Sequence, residues 1–282
     1  MSYPSPLTGT VRHDLSHNVI TLGCPFTIGG FVKLGARETI IKAQFTSGPG
    51  VFVISPLPFS ADSDTALDGL PVKYILAPNA VHHMAIKEWL YPDAKVVGCR
   101  GLGRKKANEG VVVDIEVAEF DKVLSAKELG MDDIAEEEDF NFICFSGHKN
   151  RELATYHGKS KVLVVADLIL NLPATEQYSA TKSNGIVGTI LGKLSIEARL
   201  QPYVRGALFK DKEAIKKGIK AMSTLGFETI VMCHGDIIEI DTKASFMISL
   251  RRCSKSGVGN VLSSLSSVHK SFYWLEGGSP VE

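Results

Sequence analysis

The sequence predicts an α+β protein that carries candidate metal ligands at the ends of its strands. Its first third contains short β-branched runs separated by glycine and proline, which favours a meander of antiparallel strands. The next part reads as strand, helix and strand, the order of a parallel crossover. Imidazole and carboxylate side chains then follow three of the apolar runs. Together these patterns predict a β-rich core with a polar site at one edge.

Length and charge narrow the class of protein. The chain has 282 residues, 44% of them apolar, so it can bury a full core as a single domain over 1–282. Lys plus Arg and Asp plus Glu number 31 each, so no global field attracts nucleic acid or an anionic membrane. The five cysteines are scattered without a Cys-x-x-Cys pair, and no signal peptide or long apolar run occurs. We therefore expect a cytoplasmic protein with a small-molecule substrate.

The individual elements follow from apolar periodicity and from glycine and proline punctuation. Strands are predicted over 19–22, 31–34, 39–45, 51–55, 72–77, 94–98, 142–145, 161–166 and 228–233. Helices are predicted over 60–70, 80–90 and 211–225. The segment 173–209 is predicted as a helical insertion or cap, the acidic run over 132–139 as a solvated loop or helix face, and 244–282 as a mostly helical tail.

Three strand ends deliver residue types that bind metals. His82 and His83 follow the strand over 72–77, Asp167 follows the strand over 161–166, and His234 follows the strand over 228–233. Histidine and carboxylate ligands suit Zn²⁺ and Fe²⁺. His148 lies in a separate Gly-His-Lys-Asn loop. Adjacent residues on a helix project about 100° apart, so we expect one of His82 and His83 to ligate and the other to orient it.

A series of motifs in this order resembles a family of unknown function within the metallo-β-lactamase-like superfamily, over roughly residues 30 to 245. The motifs are Val53–Pro56, Ile75–His83, Tyr91–Ala94, His157–Ser160, Val164–Ile169 and His234–Asp236. The resemblance implies an αββα sandwich, in which two mixed β-sheets pack face to face with helices outside and a metal site at one edge.

The chain departs from the superfamily's first metal motif, His-x-His-x-Asp-His. If the last His of that motif is His83, then His82 replaces the Asp, while Ala80 and Pro78 replace the other two histidines. The resemblance then places His148, Asp167 and His234 at later ligand positions. It implies one divalent ion, zinc or iron, held by His83, Asp167 and His234 with His82 as a fourth ligand.

Three functions stay open on this evidence. The first is a metal-dependent hydrolase of a small ester, lactone or related substrate, with His148 or His82 as proton shuttle. The second is a metal-free descendant that binds a small molecule or a protein, with His83 capping a helix and hydrogen-bonded to Asp167. The third is an iron-dependent oxidoreductase. Glu152 and His157 could fix the tautomer of another imidazole, although a hairpin-turn position beside Gly158 is the favoured explanation for His157.

Overall fold

A computed structural model describes residues 3–4, 7–16, 18–28, 32–89, 91–118, 120–181 and 208–239 of the chain. Most of the segment predicted as a cap, 182–207, and the whole predicted tail lie outside these residues. Within the cap segment, residues 175–180 form turns. None of the helices in the described ranges is long and apolar enough to span a membrane.

Most strands belong to two mixed sheets, which lie face to face. The first sheet has seven strands in the spatial order β1-β2-β5-β6-β7-β8-β9. They span Val11–Ser16 (β1), Val19–Cys24 (β2), Ala36–Phe45 (β5), Gly48–Ile54 (β6), Val72–Leu76 (β7), Lys95–Cys99 (β8) and Ile115–Val117 (β9). The pairs β6·β7, β7·β8 and β8·β9 are parallel, and the others are antiparallel. A separate two-stranded ribbon joins Thr27–Ile28 (β3) and Val32–Lys33 (β4).

The second sheet has six strands in the order of the chain, β10 to β15. They span Phe120–Ser125 (β10), Phe140–Phe145 (β11), Glu152–His157 (β12), Val162–Val165 (β13), Thr229–Met232 (β14) and Ile238–Glu239 (β15). Only β13·β14 is parallel among these described pairs. The carboxyl ends of β13 and β14 therefore lie side by side, as do those of β6 and β7 in the first sheet.

Three apolar layers hold the sandwich together. Between the sheets, the rings of Phe52 and Phe140 are 5.0 Å apart at their centroids. Helices cover the outer faces: Ala61–Leu67 (α1), Leu102–Lys106 (α2) and Lys212–Met222 (α3), with short 3₁₀ helices at Ile86–Trp89, Ala107–Glu109, Lys127–Leu129 and Glu136–Glu138. Ile215, Ile219 and Met222 of α3 are buried on the second sheet. Because each sheet buries both faces, the architecture is an αββα sandwich.

The predicted helix over 80–90 is wrong. Within its described part, 80–89, only Ile86–Trp89 is helical, as one 3₁₀ turn, and residues 79–82 bend instead. The side-chain oxygen of Asn79 accepts hydrogen bonds from the backbone N–H groups of Val81 and His82, at 2.9 and 3.0 Å. These bonds hold residues 79–82 in an Asx turn, and the chain continues from there through a turn to the 3₁₀ helix. The two histidines consequently lie on an irregular loop and can point in different directions.

A buried acid on β5, Glu38, supports the loop that follows β6. Its carboxylate accepts hydrogen bonds from the backbone N–H of Leu57, at 2.7 Å, and from the hydroxyl of Ser63, at 3.0 Å. No cation offsets its burial among the contacts described, and burial raises the pKa of Glu38 to about 8. Glu38 is therefore protonated in the folded chain at neutral pH.

This protonation predicts a stability that falls as the pH rises. The unfolded chain releases the Glu38 proton near pH 4.5, whereas the folded chain keeps it up to about pH 8. Between these values the unfolded state binds fewer protons, so the free energy of unfolding decreases with pH, by a few kcal/mol in total, on the order of 1 kcal/mol per pH unit. Glu38→Gln, which cannot ionise, should lose this dependence. Urea unfolding of both chains at pH 5.5 and pH 9 measures it, and parallel pH profiles would contradict the assignment.

Candidate metal centre

The loops after β7, β13 and β14 bring three metal-ligand side chains together at one edge of the sandwich. They are His82, Asp167 and His234, whose candidate ligand atoms all lie within 4.8 Å of one another. All three side chains are largely buried. A group of two imidazoles and one carboxylate has the composition of a mononuclear site for zinc or iron.

The ring of His234 is held in one orientation by the backbone. Its Nδ1 lies 2.6 Å from the carbonyl oxygen of Gly35, which can only accept, so Nδ1 carries the proton. Burial and the neighbouring His82 lower the pKa of His234 to about 4, so the ring is neutral. The free Nε2 then faces Oδ1 of Asp167 at 3.8 Å. Two electron-pair donors therefore face each other, an arrangement that a cation or a proton between them stabilises.

His82 completes the group on the other side of Asp167. Its Nε2 lies 3.3 Å from Oδ1 of Asp167, and its Nδ1 lies 3.5 Å from the hydroxyl of Ser55. Burial favours the neutral ring, but the charge of Asp167 and the side chain of Cys233 outweigh it and raise the pKa of His82 well above its ordinary value. In the metal-free chain His82 is therefore an imidazolium paired with Asp167.

Asp167 is oriented by two amides on its far oxygen. The side chains of Asn79 and Asn150 each donate to Oδ2 at 2.8 Å, which leaves Oδ1 to the two imidazoles. Although burial favours the neutral acid, His82 holds the pKa of Asp167 well below its usual range. Asp167 is thus an ionised carboxylate with one oxygen aimed at the centre of the group.

Two buried side chains, those of Asn79 and Glu152, hold Asp167 in place. The amide of Asn79 donates to Glu152 at 2.9 Å, and Glu152 also accepts from the backbone N–H groups of Ala166, at 2.5 Å, and Asp167, at 3.2 Å. Burial and the charge of Asp167 raise the pKa of Glu152 to about 7. The sequence suggests Glu152 as an orienting partner of an imidazole, whereas in the structure it orients the carboxylate. The role of Asn79 is not predicted, because the sequence offers one signal for it, an Asx-turn residue after a strand.

The structure brings His82, and not His83, to Asp167 and His234. The His83 ring is buried beside Lys105 and Lys106, where burial and these two cations lower its pKa to about 3. Its position on the bent loop separates it from the group of three, and the hydrogen bond to Asp167 that the metal-free alternative gave to His83 is made by His82 instead. The assignment of each histidine as a metal ligand stays a prediction.

His148 lies behind the site, also outside the group of three. Its side chain is fully buried, its Nδ1 accepts from the backbone N–H of Asn150 at 3.3 Å, and its ring packs on Phe209. Burial lowers the pKa of His148 to about 4, against the opposing charge of Asp167. A fully buried, neutral ring suits packing behind Asp167 and Asn150 better than proton exchange with solvent.

His157 lies at the opposite end of β12 from Glu152. Its Nε2 lies 3.1 Å from the carboxylate of Glu138, and its Nδ1 lies 2.7 Å from the hydroxyl of Ser160. Glu138 is itself buried, so the prediction of a solvated acidic run over 132–139 is wrong at this residue. Its burial is offset by Lys159, which donates to Glu138 at 2.7 Å. His157 therefore supports the fold and not the candidate centre.

Pro78 and Ala80 stand where the motif has histidines, and both make backbone hydrogen bonds. The carbonyl of Pro78 accepts from the N–H of Leu153 at 2.7 Å, and the N–H of Ala80 donates to the carbonyl of Asn150 at 2.8 Å. Neither side chain offers a ligand atom, which limits the described residues to one metal position of this type. The cysteines Cys24, Cys99, Cys144 and Cys233 are all buried.

Solved structures resemble this chain closely in fold and weakly in sequence. No protein-family model and no curated protein matches it. The metal-soaked flavodiiron core of Flv1 from Synechocystis sp. PCC6803 aligns with a TM-score of 0.60 and 13% identity, over 87% of this chain and 60% of that one. The metallo-β-lactamase from Pontibacter korlensis gives 0.55 and 12%, over 88% and 100%.

A third neighbour is the metallo-β-lactamase FIM-1 from Pseudomonas aeruginosa in its mono-zinc form, with a TM-score of 0.53 and 9% identity over 88% of this chain and 97% of that one. At such identities the likeness concerns the fold alone. Two mixed sheets packed face to face, covered by helices and matched by these neighbours over most of the chain, show that this protein has the metallo-β-lactamase fold.

Proposed function

We propose that this protein is a metal-dependent hydrolase that binds one divalent ion, zinc or iron, through His82, Asp167 and His234. The observation that carries the proposal is the approach of the free Nε2 of His234 to Oδ1 of Asp167 at 3.8 Å, with no proton assigned between them. Both atoms are metal-ligand types, and both are held by partners on their far sides. The resemblance to a family of unknown function implies two of these ligands, Asp167 and His234, in the same roles, but it gives the third place to His83 and has His82 as an additional ligand.

The chain's own residues define what the site can do. Asn79 and Asn150 bind one oxygen of Asp167 and leave the other turned inward, and the carbonyl of Gly35 fixes the His234 proton on Nδ1, which leaves Nε2 free. The chemistry that a divalent ion supplies in such sites is Lewis acidity toward a carbonyl oxygen and a lower pKa, near about 7, for the attacking water. His148 acts as a buried positioning group in this proposal, in place of the proton shuttle that the sequence suggested.

The substrate class rests on the fold and on the single proposed metal position. A small ester, lactone or related molecule is the substrate that we propose, because one metal position with an activated water suits acyl hydrolysis. The reduced, buried cysteines are consistent with action in the cytoplasm.

A metal-free binding protein is the second candidate, and one observation favours it. The imidazolium of His82 lies 3.3 Å from Asp167, so the chain can neutralise its buried carboxylate with a proton alone. In that case the site would hold a small ligand by hydrogen bonds, without chemistry. A divalent ion has to displace this proton, so metal affinity should weaken as the pH falls.

Hydrolysis assays on reconstituted protein test the proposal. Protein stripped with a chelator and reloaded with Zn²⁺ or Fe²⁺ would be assayed on a panel of aryl esters and lactones, beside the isosteric variant Asp167→Asn. We expect activity that requires the metal and falls by at least ~100-fold in the variant, since a neutral amide ligates poorly. Hydrolysis that survives both the chelator and the substitution would refute the proposal, and oxygen consumption by the iron form alone would favour the oxidoreductase.

A further inference from the structure

Arg37, on β5, is buried against the turn that carries His234. Its Nη1 donates to the carbonyl oxygens of Met232, at 2.8 Å, and Gly235, at 2.7 Å, so the guanidinium holds the backbone on both sides of His234. Arginine is rarely buried to this extent unless it is paired. Burial lowers the pKa of Arg37, and the charge of Glu176 opposes that shift. Its position thus ties the first sheet to the His234 turn.

Glu176 completes the connection from the other side of the turn. One of its oxygens accepts from Nη2 of Arg37 at 2.5 Å, and the other accepts from the backbone N–H of Ile237 at 3.1 Å. Its own N–H donates to the side chain of Asp236 at 2.8 Å. The ion pair of Arg37 and Glu176 therefore encloses the turn from residue 232 to residue 237.

The same end of β5 also supplies the acceptor for the His234 ring. Gly35 precedes the strand by one residue, and its carbonyl binds Nδ1 of His234 at 2.6 Å. Gly35 and Arg37 lie together at the start of β5. A shift of the His234 turn away from Arg37 would therefore lengthen the hydrogen bond between His234 and the Gly35 carbonyl. It would also turn Nε2 away from Asp167 and release the ring from a single tautomer.

We propose that Arg37, through its ion pair with Glu176, is a positioning residue that keeps His234 in the Nδ1–H tautomer with Nε2 directed at Asp167. Its effect on metal affinity rests on the proposed function, whereas the tautomer is a property of the metal-free chain. Lysine cannot replace arginine here, because a single ammonium group does not span two carbonyls and a carboxylate in one plane.

Two measurements on the full chain test this role in Arg37→Met, Arg37→Lys and Glu176→Gln. Long-range proton–nitrogen NMR of metal-free protein labelled at histidine nitrogens reports the His234 tautomer at one fixed pH. Competition with a chromophoric chelator then reports the affinity for Zn²⁺. The control is Glu138→Gln, which removes the ion pair between the buried carboxylate of Glu138 and the exposed Lys159, away from the site.

We expect one Nδ1–H tautomer in the unmodified chain and in the control, and a mixture in Arg37→Met. Zinc affinity should fall about 10–100-fold in Arg37→Met, as is typical for loss of an outer-shell partner, and less in Glu176→Gln. A single tautomer with unchanged affinity in a folded Arg37→Met would overturn the inference. If that variant does not fold, the same result in Arg37→Lys and Glu176→Gln would overturn it. Absence of zinc binding in the unmodified chain would refute the proposed function, and the tautomer result would still decide the role of Arg37.

Discussion

Replacing His82 with alanine should weaken zinc binding by at least ~100-fold, more than the loss of an outer-shell partner costs, while His83→Ala should leave it nearly unchanged. His82 lies 3.3 Å from Asp167 and within the group of three, whereas His83 lies beside Lys105 and Lys106. The two residues are neighbours of the same type, so each substitution controls for the other. Chelator competition on the purified variants measures the difference.

Removal of His82 also leaves Asp167 without its imidazolium, which destabilises the metal-free chain. His82→Gln avoids this complication, because the amide can still donate to Asp167 but is a poor metal ligand. Its zinc affinity should resemble that of His82→Ala. Equal losses in the His82 and His83 variants would contradict the ligand assignment, and a loss confined to His83→Ala would restore the ligand set that the sequence motif implies.

The second large effect is expected at Gly235, which follows His234 in the turn. Its φ is +94°, a value that residues with side chains rarely adopt, and an added Cβ would lie 2.2 Å from the carbonyl oxygen of Asn171. Gly235→Ala should therefore lower the free energy of unfolding by about 2–4 kcal/mol, since backbone strain and a clash with backbone add together. The same displacement should move His234 and weaken zinc binding.

Gly69→Ala is the matched control, because Gly69 also has a positive φ, +71°, but its Cβ would meet nothing within 4 Å. This variant should lose only about 1 kcal/mol, from strain, and keep its zinc affinity. Chemical unfolding and chelator competition on both variants give the comparison. Equal destabilisation by the two substitutions would show that the contact between Gly235 and Asn171 does not constrain the turn.

Much of the fold could be predicted because its central strands are continuous apolar runs. β7, β13 and β14 are recognisable in this way, as strands buried on both faces usually are. The periodicity of 211–225 likewise indicates α3, whose N-cap Asp211 accepts from two backbone N–H groups. Since parallel strand ends meet at one edge, the meeting of Asp167 and His234 followed from their positions.

Other features depend on partners that are distant in sequence. β12 is missing from the predicted elements, because Glu152, Thr155 and His157 interrupt its apolar pattern although all three are buried. The burial of Glu138 is explained by His157 and Lys159, which lie on another hairpin. Local propensity could not show either arrangement, because long-range hydrogen bonds determine both.

The choice between His82 and His83 shows the same limit at the site. The apolar spacing over 80–90 predicts a helix, and a helix gives no reason to prefer either His82 or His83 as the metal ligand. One side chain, Asn79, holds residues 79–82 in a turn and links them to Asp167 and Glu152. These two partners are more than seventy residues away, so the apolar spacing within 80–90 cannot show the link.

Elemental analysis of the purified protein by inductively coupled plasma mass spectrometry tests the central claim most directly. After reconstitution with Zn²⁺ or Fe²⁺ and removal of excess metal, we predict close to one ion per chain, and almost none in a His82→Ala/His234→Ala double variant. The metal position that we propose at His82, Asp167 and His234 requires this result. Absence of both metals from the unmodified chain, or equal retention by the folded double variant, would contradict the account.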